Sequence, residues 1–273
     1  MRRIAYIPAR GGSKGIPKKN IAQIGDVPLI AFTIIAALKS GLFDKVMVST
    51  DSEEIAAVAR QYGAWVPFLR YVEFAQDTSK TIDAVISDKT RLEEMGEVFD
   101  TFVLLQCTSP FRTAKDIQGA VKLFEKASGG VVSISAVEEH PILMRTIGED
   151  GKLARVLNCS STCRRQDMPP YYRVNGAIYV NAWNELASNL SLNDNPYGYI
   201  MEQNDALDID TLADLENARK RGVTIGIDGG GRLSSLLLSV FGQKRTRHGK
   251  MFVYACLCAS SRCTQVRCDK VVA

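Results

Sequence analysis

A loop rich in glycine and in positive charge follows the first apolar segment of the chain. Residues 8–20 read PARGGSKGIPKKN, so that Arg10, Lys14 and Lys19 lie within ten residues of one another. Glycine lets a backbone turn sharply and present its N–H groups to an anion. Open α/β sheets bind their ligands where such loops leave the carboxyl ends of buried strands. The segment therefore predicts an anion-binding loop, and a flexible basic surface loop is the alternative.

Two common phosphate-binding loops are excluded by the spacing of these residues. No Gly-Lys-Ser/Thr follows at the distance that a P-loop requires, and the dinucleotide pattern G-x-G-x-x-G is absent from the segment. The loop also does not open directly into a predicted helix. A nucleotide bound here must therefore be held by another arrangement.

Two aspartates stand two residues apart in the segment LDIDT at 207–211. On an extended chain, Asp208 and Asp210 point to the same side. Mg²⁺ prefers carboxylates, water and phosphate oxygens, so the pair predicts a Mg²⁺ site. Capping of the following helix by Asp210 is the alternative, and it is compatible with metal binding.

Further segments combine arginine, amide and hydroxyl side chains. The segment RRQDMP at 164–169 is followed by YRVNGAIY at 172–179, and the planar fork of arginine can bond both oxygens of a carboxylate. The segment LLQCTSPFR at 104–112 supplies Gln106 and Thr108, whose amide and hydroxyl suit a polyhydroxylated ligand. The alternatives are a salt-bridged surface hairpin for the arginines and an ordinary helix-entry turn for the Thr-Ser-Pro sequence.

Strand and helix patterns alternate over residues 1–222 and must position these segments. Strands are predicted at 4–9, 45–49, 101–106, 131–136 and 176–181, with a short one near 65–69. Helices are predicted at 28–40, 81–95, 114–126 and 211–221, and from an N-cap at Asp51 to Tyr62. Repeated strand–helix units imply an α/β fold with a mainly parallel sheet covered on both faces. Residues 140–172 break the pattern and are predicted to form an inserted arm with short strands.

Charge is distributed unevenly along the 273 residues. The whole chain carries +4, but residues 226–273 contain eight basic and two acidic side chains, so residues 1–225 carry −2. The predicted main domain, 1–225, is therefore mildly acidic and has no nucleic-acid footprint. The tail, 226–273, is basic, contains four of the seven cysteines and has weak periodicity. It is predicted to be poorly ordered. An RNA- or membrane-surface-binding appendage is the alternative.

Targeting signals are not apparent in the sequence. No apolar run approaches the roughly 20 residues that a membrane span needs, and the first residues do not match a signal peptide. An odd number of cysteines, seven, argues against a disulfide framework. The expectation is a cytoplasmic protein with no membrane or nucleic-acid partner.

The run IPARGGSKGIPKKNI at 7–21 resembles the N-terminal signature of the acylneuraminate cytidylyltransferase family, which includes the CMP-N-acetylneuraminic acid synthetases. Later segments are similar to the family's LLQ-x-TSP-x-R, RQ-x-x-P … R-x-NGAIY and D-I-D-T blocks, although Cys107 stands where many members have proline. The resemblance covers about residues 1–222. It implies a three-layer nucleotide-diphospho-sugar transferase-like α/β fold, with a mainly parallel sheet and an inserted dimerisation arm that contacts a partner in a homodimer.

The resemblance also implies roles for individual residues. Nucleotide binding is carried over to Arg10, Ser13, Lys14, Lys19, Asn20 and Ser79, sugar binding to Gln106, Thr108, Arg165, Arg173 and Asn175, and metal binding to Asp208 and Asp210. Among them, the implied catalytic residues are Lys19, Arg10 and Asp210. Lys19 would neutralise the α-phosphate as it is attacked, and Arg10 would hold the β- and γ-phosphates.

The implied reaction joins CTP to an acidic nine-carbon sugar of the N-acylneuraminate type, giving a CMP-sugar and pyrophosphate, with Mg²⁺ as cofactor. Catalysis would consist of positioning and charge neutralisation, and the sequence offers no clear general base. One alternative is activation of another acidic sugar (legionaminate, pseudaminate or 3-deoxy-octulosonate) with CTP or GTP. A second alternative is a non-catalytic nucleotide-binding module.

Overall fold

The chain divides into two units, and the first is built on one central sheet. The computed structural model describes residues 1–13, 15–162, 164, 168–202, 206–225, 243–245 and 251–253, and the units are Met1–Lys220 and Arg221–Ala273. The strands up to residue 220 are β1 (Arg3–Pro8), β2 (Gln23–Ile24), β3 (Val27–Pro28), β4 (Lys45–Ser49), β5 (Thr101–Leu105), β6 (Val131–Ala136), β7 (Arg145–Ile147), β8 (Leu153–Arg155), β9 (Tyr172–Ala182) and β10 (Tyr197–Ile200). The helices are α1 (Leu29–Ser40), α2 (Glu53–Gln61), α3 (Thr81–Glu94), α4 (Ala114–Phe124) and α5 (Leu212–Ile225).

In the second unit the structure describes an antiparallel pair of short strands, β11 (Gln243–Arg245) and β12 (Met251–Val253). Most of the predicted tail lies outside the described residues. The predicted domain boundary after residue 225 and the poor order of the tail therefore stay predictions. No helix in the described ranges has the length and apolar character to span a membrane.

The central sheet has the strand order β10-β6-β9-β5-β1-β4. β1 pairs in parallel with β4 and β5, and β6 pairs in parallel with β10. β9 lies antiparallel between β5 and β6. All five residues of β5 are buried, as expected for a central strand that is covered on both faces. The mainly parallel sheet is confirmed, with β9 as its one reversed strand.

Helices cover both faces of this sheet and complete the three predicted layers. On one face α1, α2 and α4 pack Ile34, Ile55 and Ile117 against apolar residues of β1 and β5. On the other face α3 and the turn after β9 pack Val85 and Trp183 against the opposite sides of the same strands. Successive residues of β1 and β5 thus enter different cores, which follows from the two-residue period of a strand. The three-layer α/β fold is confirmed.

A third apolar cluster fixes the loop after β1. It joins Ile16 of that loop and Ile24 of β2 to Ile209, which lies between the two aspartates, and to Leu215 of α5. Ile16, Ile24 and Ile209 are at most 3% exposed. Burial of such side chains stabilises by roughly 1.5–3 kcal/mol each. Apolar packing therefore brings the cationic loop and the aspartate segment together, although they are separated by about 190 positions in the chain.

The start of α2 differs from the prediction. Its N-cap is Ser52, whose hydroxyl accepts the N–H of Ile55, so the predicted cap at Asp51 was wrong. The carboxylate of Asp51 instead accepts the N–H of Gly11 in the cationic loop, at 2.8 Å. Asp51 and Ser52 both have side chains that suit an N-cap. Ser52 is the N-cap because the Asp51 carboxylate bonds to Gly11 instead.

The short strand predicted near 65–69 is also different in the structure. It is reduced to one bridge between Trp65 and Met47. Pro67 lacks the N–H that a continued ladder needs. After Pro67 the chain returns to the end of β4, where the backbone N–H of Arg70 donates to the carbonyl oxygen of Thr50.

The predicted arm at 140–172 contains the antiparallel hairpin of β7 and β8. β9 begins at Tyr172, four residues earlier than predicted, and β10 was not predicted. The apolar pattern of β10 is weak, since the strand lies at the sheet edge and its side chains are mostly exposed. The role of the arm in dimerisation stays a prediction.

Candidate active site

The cationic loop leaves β1 and is held in shape by contacts to its own backbone. Asn20, 7% exposed, donates its side-chain N–H to the carbonyl of Arg10 at 2.9 Å. Gly11 donates to Asp51, as described above, and Lys18 adopts a left-handed conformation at φ 52°. A lysine in this region is uncommon and indicates a turn that the surroundings impose. These contacts hold the described part of the loop in one conformation, which argues against the alternative of a flexible surface loop.

Lys19 and Asp210 meet across the loop. The Lys19 ammonium donates to the Asp210 carboxylate and to the carbonyl of Ile209, at 3.0 Å each. The Lys19 side chain is 16% exposed and that of Asp210 is 71% exposed. The partly buried Lys19 ammonium thus lies beside the exposed carboxylate of Asp210. A polyanion could bind to the ammonium, and a metal ion could bind to the carboxylate.

The helix that follows Asp210 is capped by other residues. Asp214 accepts the N–H of Thr211 at 2.8 Å, and the Thr211 hydroxyl accepts the N–H of Asp214 at 3.2 Å. These reciprocal bonds form a capping box with Thr211 as N-cap. The alternative role of Asp210 as the N-cap is therefore wrong, and its carboxylate is committed to the cleft side.

A cleft of about 420 Å³ opens between the loop, the end of β5 and the segment 70–84. Its lining contains eight of the predicted site residues: Arg10, Ser13, Lys19, Asn20, Ser79, Gln106, Thr108 and Asp210. The structure thus brings together residues from four separate parts of the sequence. Their individual roles stay predictions.

The wall opposite the cationic loop is formed by residues 76–80. Arg10 forms an ion pair with Asp77 at 2.9 Å and donates to the carbonyl of Gln76 at 3.1 Å. Ser79 donates its hydroxyl proton to the carbonyl of Glu73 at 2.8 Å. Arg10 thus links the two walls of the cleft in this structure.

The carboxylates fit a divalent cation. Asp208 is partly buried, and its Oδ1 has no partner among the described residues. Burial raises the pKa of Asp208, and the neighbouring Asp210 charge adds to the increase, while Lys19 and Arg173 oppose it. A cation bound between the aspartates would remove this cost. Within the described ranges no group of three or more His, Cys, Asp or Glu side chains could hold a metal. Two carboxylates with substrate phosphates are a usual Mg²⁺ environment.

Gln106 and Thr108 follow the carboxyl end of β5, and Gln106 also lines a second cleft of about 460 Å³. Lys80, Thr81 and Gln106 line both clefts. The second cleft is also lined by the apolar Ile82 and Leu104, by Tyr179 and by residues 188–193, which are small, polar or aliphatic. The Tyr179 hydroxyl donates to the side-chain oxygen of Asn193 at 2.9 Å. The two clefts meet at Gln106, which suits a pair of substrates that react with each other.

Two predicted sugar-binding residues lie on β9. Arg173 is exposed, and its charge opposes the rise in the pKa of Asp208. Asn175 is only 4% exposed, and its side-chain oxygen accepts bonds from the Ser133 hydroxyl at 2.6 Å and from the Ala177 N–H. A sugar contact by Asn175 stays a prediction. Lys14 and Arg165 lie outside the described residues.

Several residues that shape the cleft were not predicted. Arg70 lines the first cleft and is 7% exposed. Cys107 is buried there, and burial raises the pKa of its thiol to about 12. Arg112 is 2% exposed and donates to the carbonyls of Gln106 and Ala177 at 3.0 Å each, which ties the end of β5 to β9. Burial lowers the pKa of Arg112 to about 10. The final arginine of the LLQCTSPFR segment was the available signal for Arg112.

Gly15→Ala is expected to reduce kcat/KM by about 100-fold, because a displacement of about 1 Å at a catalytic group has that effect. A Cβ at Gly15 would lie 2.7 Å from the carbonyl oxygen of Asp210, so the loop must move away from the aspartate segment. Gly12→Ala is the matched control, since its Cβ would meet nothing within 4 Å. Steady-state kinetics of the two variants measure the difference. Equal kcat/KM values would show that the close approach of loop and Asp210 has no role in turnover.

A family model described as Cytidylyltransferase matches residues 4–175. The chain is 39% identical over 219 residues to the CMP-N,N'-diacetyllegionaminic acid synthase of Legionella pneumophila, covering 78% of this chain and 93% of that protein. It is 37% identical to the N-acylneuraminate cytidylyltransferase of Streptococcus agalactiae, covering 79% of this chain and 52% of that protein. The chain thus spans about half the length of the streptococcal relative.

Among solved structures, the fold is similar to CMP:2-keto-3-deoxy-manno-octonic acid synthetase complexed with CTP. The TM-score is 0.62 and the sequence identity is 17%, with 82% of this chain and 99% of that chain covered. At this identity the likeness concerns the fold alone. It agrees with the three-layer architecture found above.

Proposed function

Because the chain belongs to the cytidylyltransferase family, we propose that it joins CTP to an N-acylneuraminate-type nonulosonic acid, giving a CMP-sugar and pyrophosphate. The observation that carries this proposal is the Lys19–Asp210 pair, with 3.0 Å between the ammonium and the carboxylate, in a cleft that the cationic loop also lines. Such an arrangement offers donors for a triphosphate on one side and carboxylates for a metal on the other.

The nucleotide is proposed to bind in the first cleft, with its phosphates at the cationic loop. Phosphates would contact the N–H groups of the glycine loop together with Arg10 and Lys19, and the nucleoside would extend along residues 70–84. Arg10 would exchange its ion pair with Asp77 for a pair with phosphate, which an arginine fork favours. Lys19 would neutralise charge on the α-phosphate, where negative charge grows during transfer.

The chemical step is attack of the sugar's anomeric hydroxyl on the α-phosphorus of CTP. The new bond joins the anomeric oxygen to phosphorus, and the bond to the bridging oxygen of pyrophosphate breaks. Asp208 and Asp210 would hold Mg²⁺, which supplies charge neutralisation at phosphate and lowers the pKa of a bound hydroxyl. The protein's own contribution is to bring the two substrates into line at the junction of the clefts near Gln106.

The acidic sugar would occupy the second cleft. Tyr179, Asn189 and Asn193 supply hydroxyl and amide groups for its polar substituents, and Arg173 supplies a fork for its carboxylate. The similarity to the Legionella synthase favours one alternative in particular, in which the sugar is a diacetylated legionaminate. Pseudaminate is a further nine-carbon alternative, and the eight-carbon 3-deoxy-octulosonate is an alternative from a different class of acidic sugar.

A panel of nucleotides and sugars tests the substrate. CTP and GTP are each incubated with N-acetylneuraminate, diacetyllegionaminate, pseudaminate and 3-deoxy-octulosonate, and nucleotide sugars are identified by mass spectrometry. We expect a CMP-sugar with at least one nine-carbon acid and none with the eight-carbon acid. Formation of a GMP-sugar, or a preference for 3-deoxy-octulosonate, would overturn the proposed substrate class.

Gly176→Ala is expected to raise the KM for the sugar by about tenfold, because it misplaces Gln106. Gly176 has φ 77°, and its Cβ would lie 2.8 Å from Oε1 of Gln106. Gly151→Ala is the matched control: Gly151 has φ 74°, but its Cβ would meet nothing within 4 Å. Both variants should lose about 1–2 kcal/mol of stability from the left-handed backbone. A similar KM for both would show that Gln106 does not contact the sugar.

A homodimer is proposed for the arm. The hairpin of β7 and β8 exposes Ile147 and Leu153 at 72% and 69%, and Leu143, Val156 and Ile200 are also more than half exposed. A two-stranded hairpin is only marginally stable by itself, and exposed apolar side chains of this kind mark an interface. Light scattering of the full chain should give twice the mass of one chain, and Ile147→Glu with Leu153→Glu should give a monomer. A monomeric wild type would contradict this part of the proposal.

A further inference from the structure

A buried polar network lies behind the wall of the first cleft, and the proposed reaction does not use it. Asp88 of α3 is 0% exposed. Its Oδ2 accepts hydrogen bonds from the Tyr6 hydroxyl, at 2.9 Å, and from the Ser49 hydroxyl. Oδ1 has no partner among the described residues. A buried carboxyl with one oxygen unpaired is unfavourable for folding, so its presence requires a physical reason.

The network reaches the cleft through Ser49 and Arg70. Arg70 donates its Nε–H to the Ser49 hydroxyl oxygen and an Nη2–H to the Ser49 carbonyl oxygen, at 2.9 Å each. The guanidinium is thus held along one edge by two bonds, which leaves Nη1 for other contacts. Arg70 lines the first cleft together with Phe74 and Ala84, and it is not among the residues that line the second. Its orientation therefore bears on a nucleotide more than on a sugar.

The Ser49 hydroxyl transmits the effect of Asp88. A hydroxyl has one proton, and here that proton is donated to Asp88. The hydroxyl lone pairs are consequently turned toward Arg70, whose Nε–H they accept. Burial raises the pKa of Asp88, and the charges of Arg70 and Arg91 oppose that increase. The Tyr6 hydroxyl bonds to the same oxygen from β1, whereas the side-chain bonds of Arg70 among the described residues go to Ser49.

We propose that Asp88 is a positioning residue for nucleotide binding, which acts through the Ser49 hydroxyl to fix the guanidinium of Arg70 at the wall of the cleft. The inference rests on the proposed function, because it takes CTP as the ligand of the first cleft. Asp88 does not touch the ligand, and its effect must be absent when Arg70 can no longer use the Ser49 hydroxyl.

A double-mutant cycle tests this inference in the full chain. Asp88→Asn, Arg70→Lys and the double variant are compared for kcat, for the KM values of CTP and sugar, and for melting temperature. Tyr6→Phe is the matched control. It also removes one hydrogen bond to Asp88, but the hydrogen bonds from Ser49 to Asp88 and from Arg70 to Ser49 remain. Ser49→Ala breaks the same path without a change at Asp88, so the test remains available should Asp88→Asn fail to fold.

We expect Asp88→Asn and Ser49→Ala to raise the KM for CTP roughly tenfold, the scale of a lost charge-assisted hydrogen bond. The KM for the sugar should change less than about twofold, as should every kinetic constant of Tyr6→Phe, although the melting temperature falls in all these variants. In the Arg70→Lys background, Asp88→Asn should have little further effect on the KM for CTP.

Two results would overturn the inference. One is an unchanged KM for CTP in the variants of Asp88 and Ser49. The other is an increase on Asp88→Asn that is equally large in the wild-type and the Arg70→Lys backgrounds. If the wild-type protein turns over normally in the same assay, either result overturns this inference alone. Absence of wild-type turnover with CTP and every acidic sugar sinks the proposed function as well.

Discussion

Asp210→Ala is expected to abolish turnover, with kcat reduced about 1,000-fold or more, because it removes one of the two carboxylates proposed to hold the Mg²⁺ that would neutralise and orient the reacting phosphates. Asp208→Asn should have a similar effect. The partly buried Asp208 has an unpaired oxygen, and Asp210 is its neighbour on the cleft side. Initial rates of pyrophosphate release at several Mg²⁺ concentrations measure both the kcat loss and any weakening of metal dependence.

The fold should survive the Asp210 substitution. Asp210 is 71% exposed, and Thr211 with Asp214 caps α5 without its carboxylate. The melting temperature should therefore stay within about 2 °C of the wild-type value, as for most exposed substitutions. Asp150→Ala removes a similarly exposed carboxylate in the arm, paired only with Lys152, and is the control for loss of charge. Near-normal turnover of Asp210→Ala would refute the metal-binding role of the aspartate pair.

Lys19→Gln is expected to lower kcat by about 100- to 1,000-fold, with a smaller change in the KM for CTP. Removal of one preorganised donor to a developing anion has an effect of this size. The Lys19 side chain is 16% exposed and its ammonium lies 3.0 Å from the Asp210 carboxylate, so its field at a bound phosphate is only weakly screened. Single-turnover kinetics with CTP separate this effect on chemistry from an effect on binding.

Lys18→Gln is the control for this prediction. Lys18 is the adjacent cation, but its side chain is 65% exposed and pairs with Glu54 at the surface. Surface ion pairs contribute little, so kcat and KM should change less than about twofold. Equal losses in the two variants would mean that the loop's total charge, and not the position of Lys19, determines activity.

The main layers of the fold followed from the sequence because their signals are local. β4 was predicted with its observed bounds, since KVMVS contains the apolar run VMV between two turns. α1 was predicted to within one residue, because Pro28 precedes it and Gly41, with φ 67°, ends it. The reversed direction of β9 was not predictable, because no local pattern states which strand pairs with which.

The candidate site was predicted mainly at the cationic loop, at the aspartate pair and at the polar residues that follow β5. The loop and the aspartate pair have recognisable residue types at short spacing, and the structure brings both to one cleft. Arg70, Asp88 and Tyr6 gave no such signal. Tyr6 and Asp88 are 82 positions apart, and each lies in a segment that reads as ordinary core, so only the packing of α3 on β1 joins them.

The central claim is that one cleft carries out a nucleotidyl transfer, and the stoichiometry of pyrophosphate release tests it most directly. The full chain is incubated with CTP, an acidic nine-carbon sugar and Mg²⁺, and each component is omitted in turn. In a further sample a chelator is added, and excess Mg²⁺ is then supplied. We expect one pyrophosphate for each CMP-sugar, none when the sugar or Mg²⁺ is absent, and recovery when Mg²⁺ is restored. Tight CTP binding without pyrophosphate release for any sugar on the panel would contradict the account and identify a nucleotide-binding module without catalytic activity.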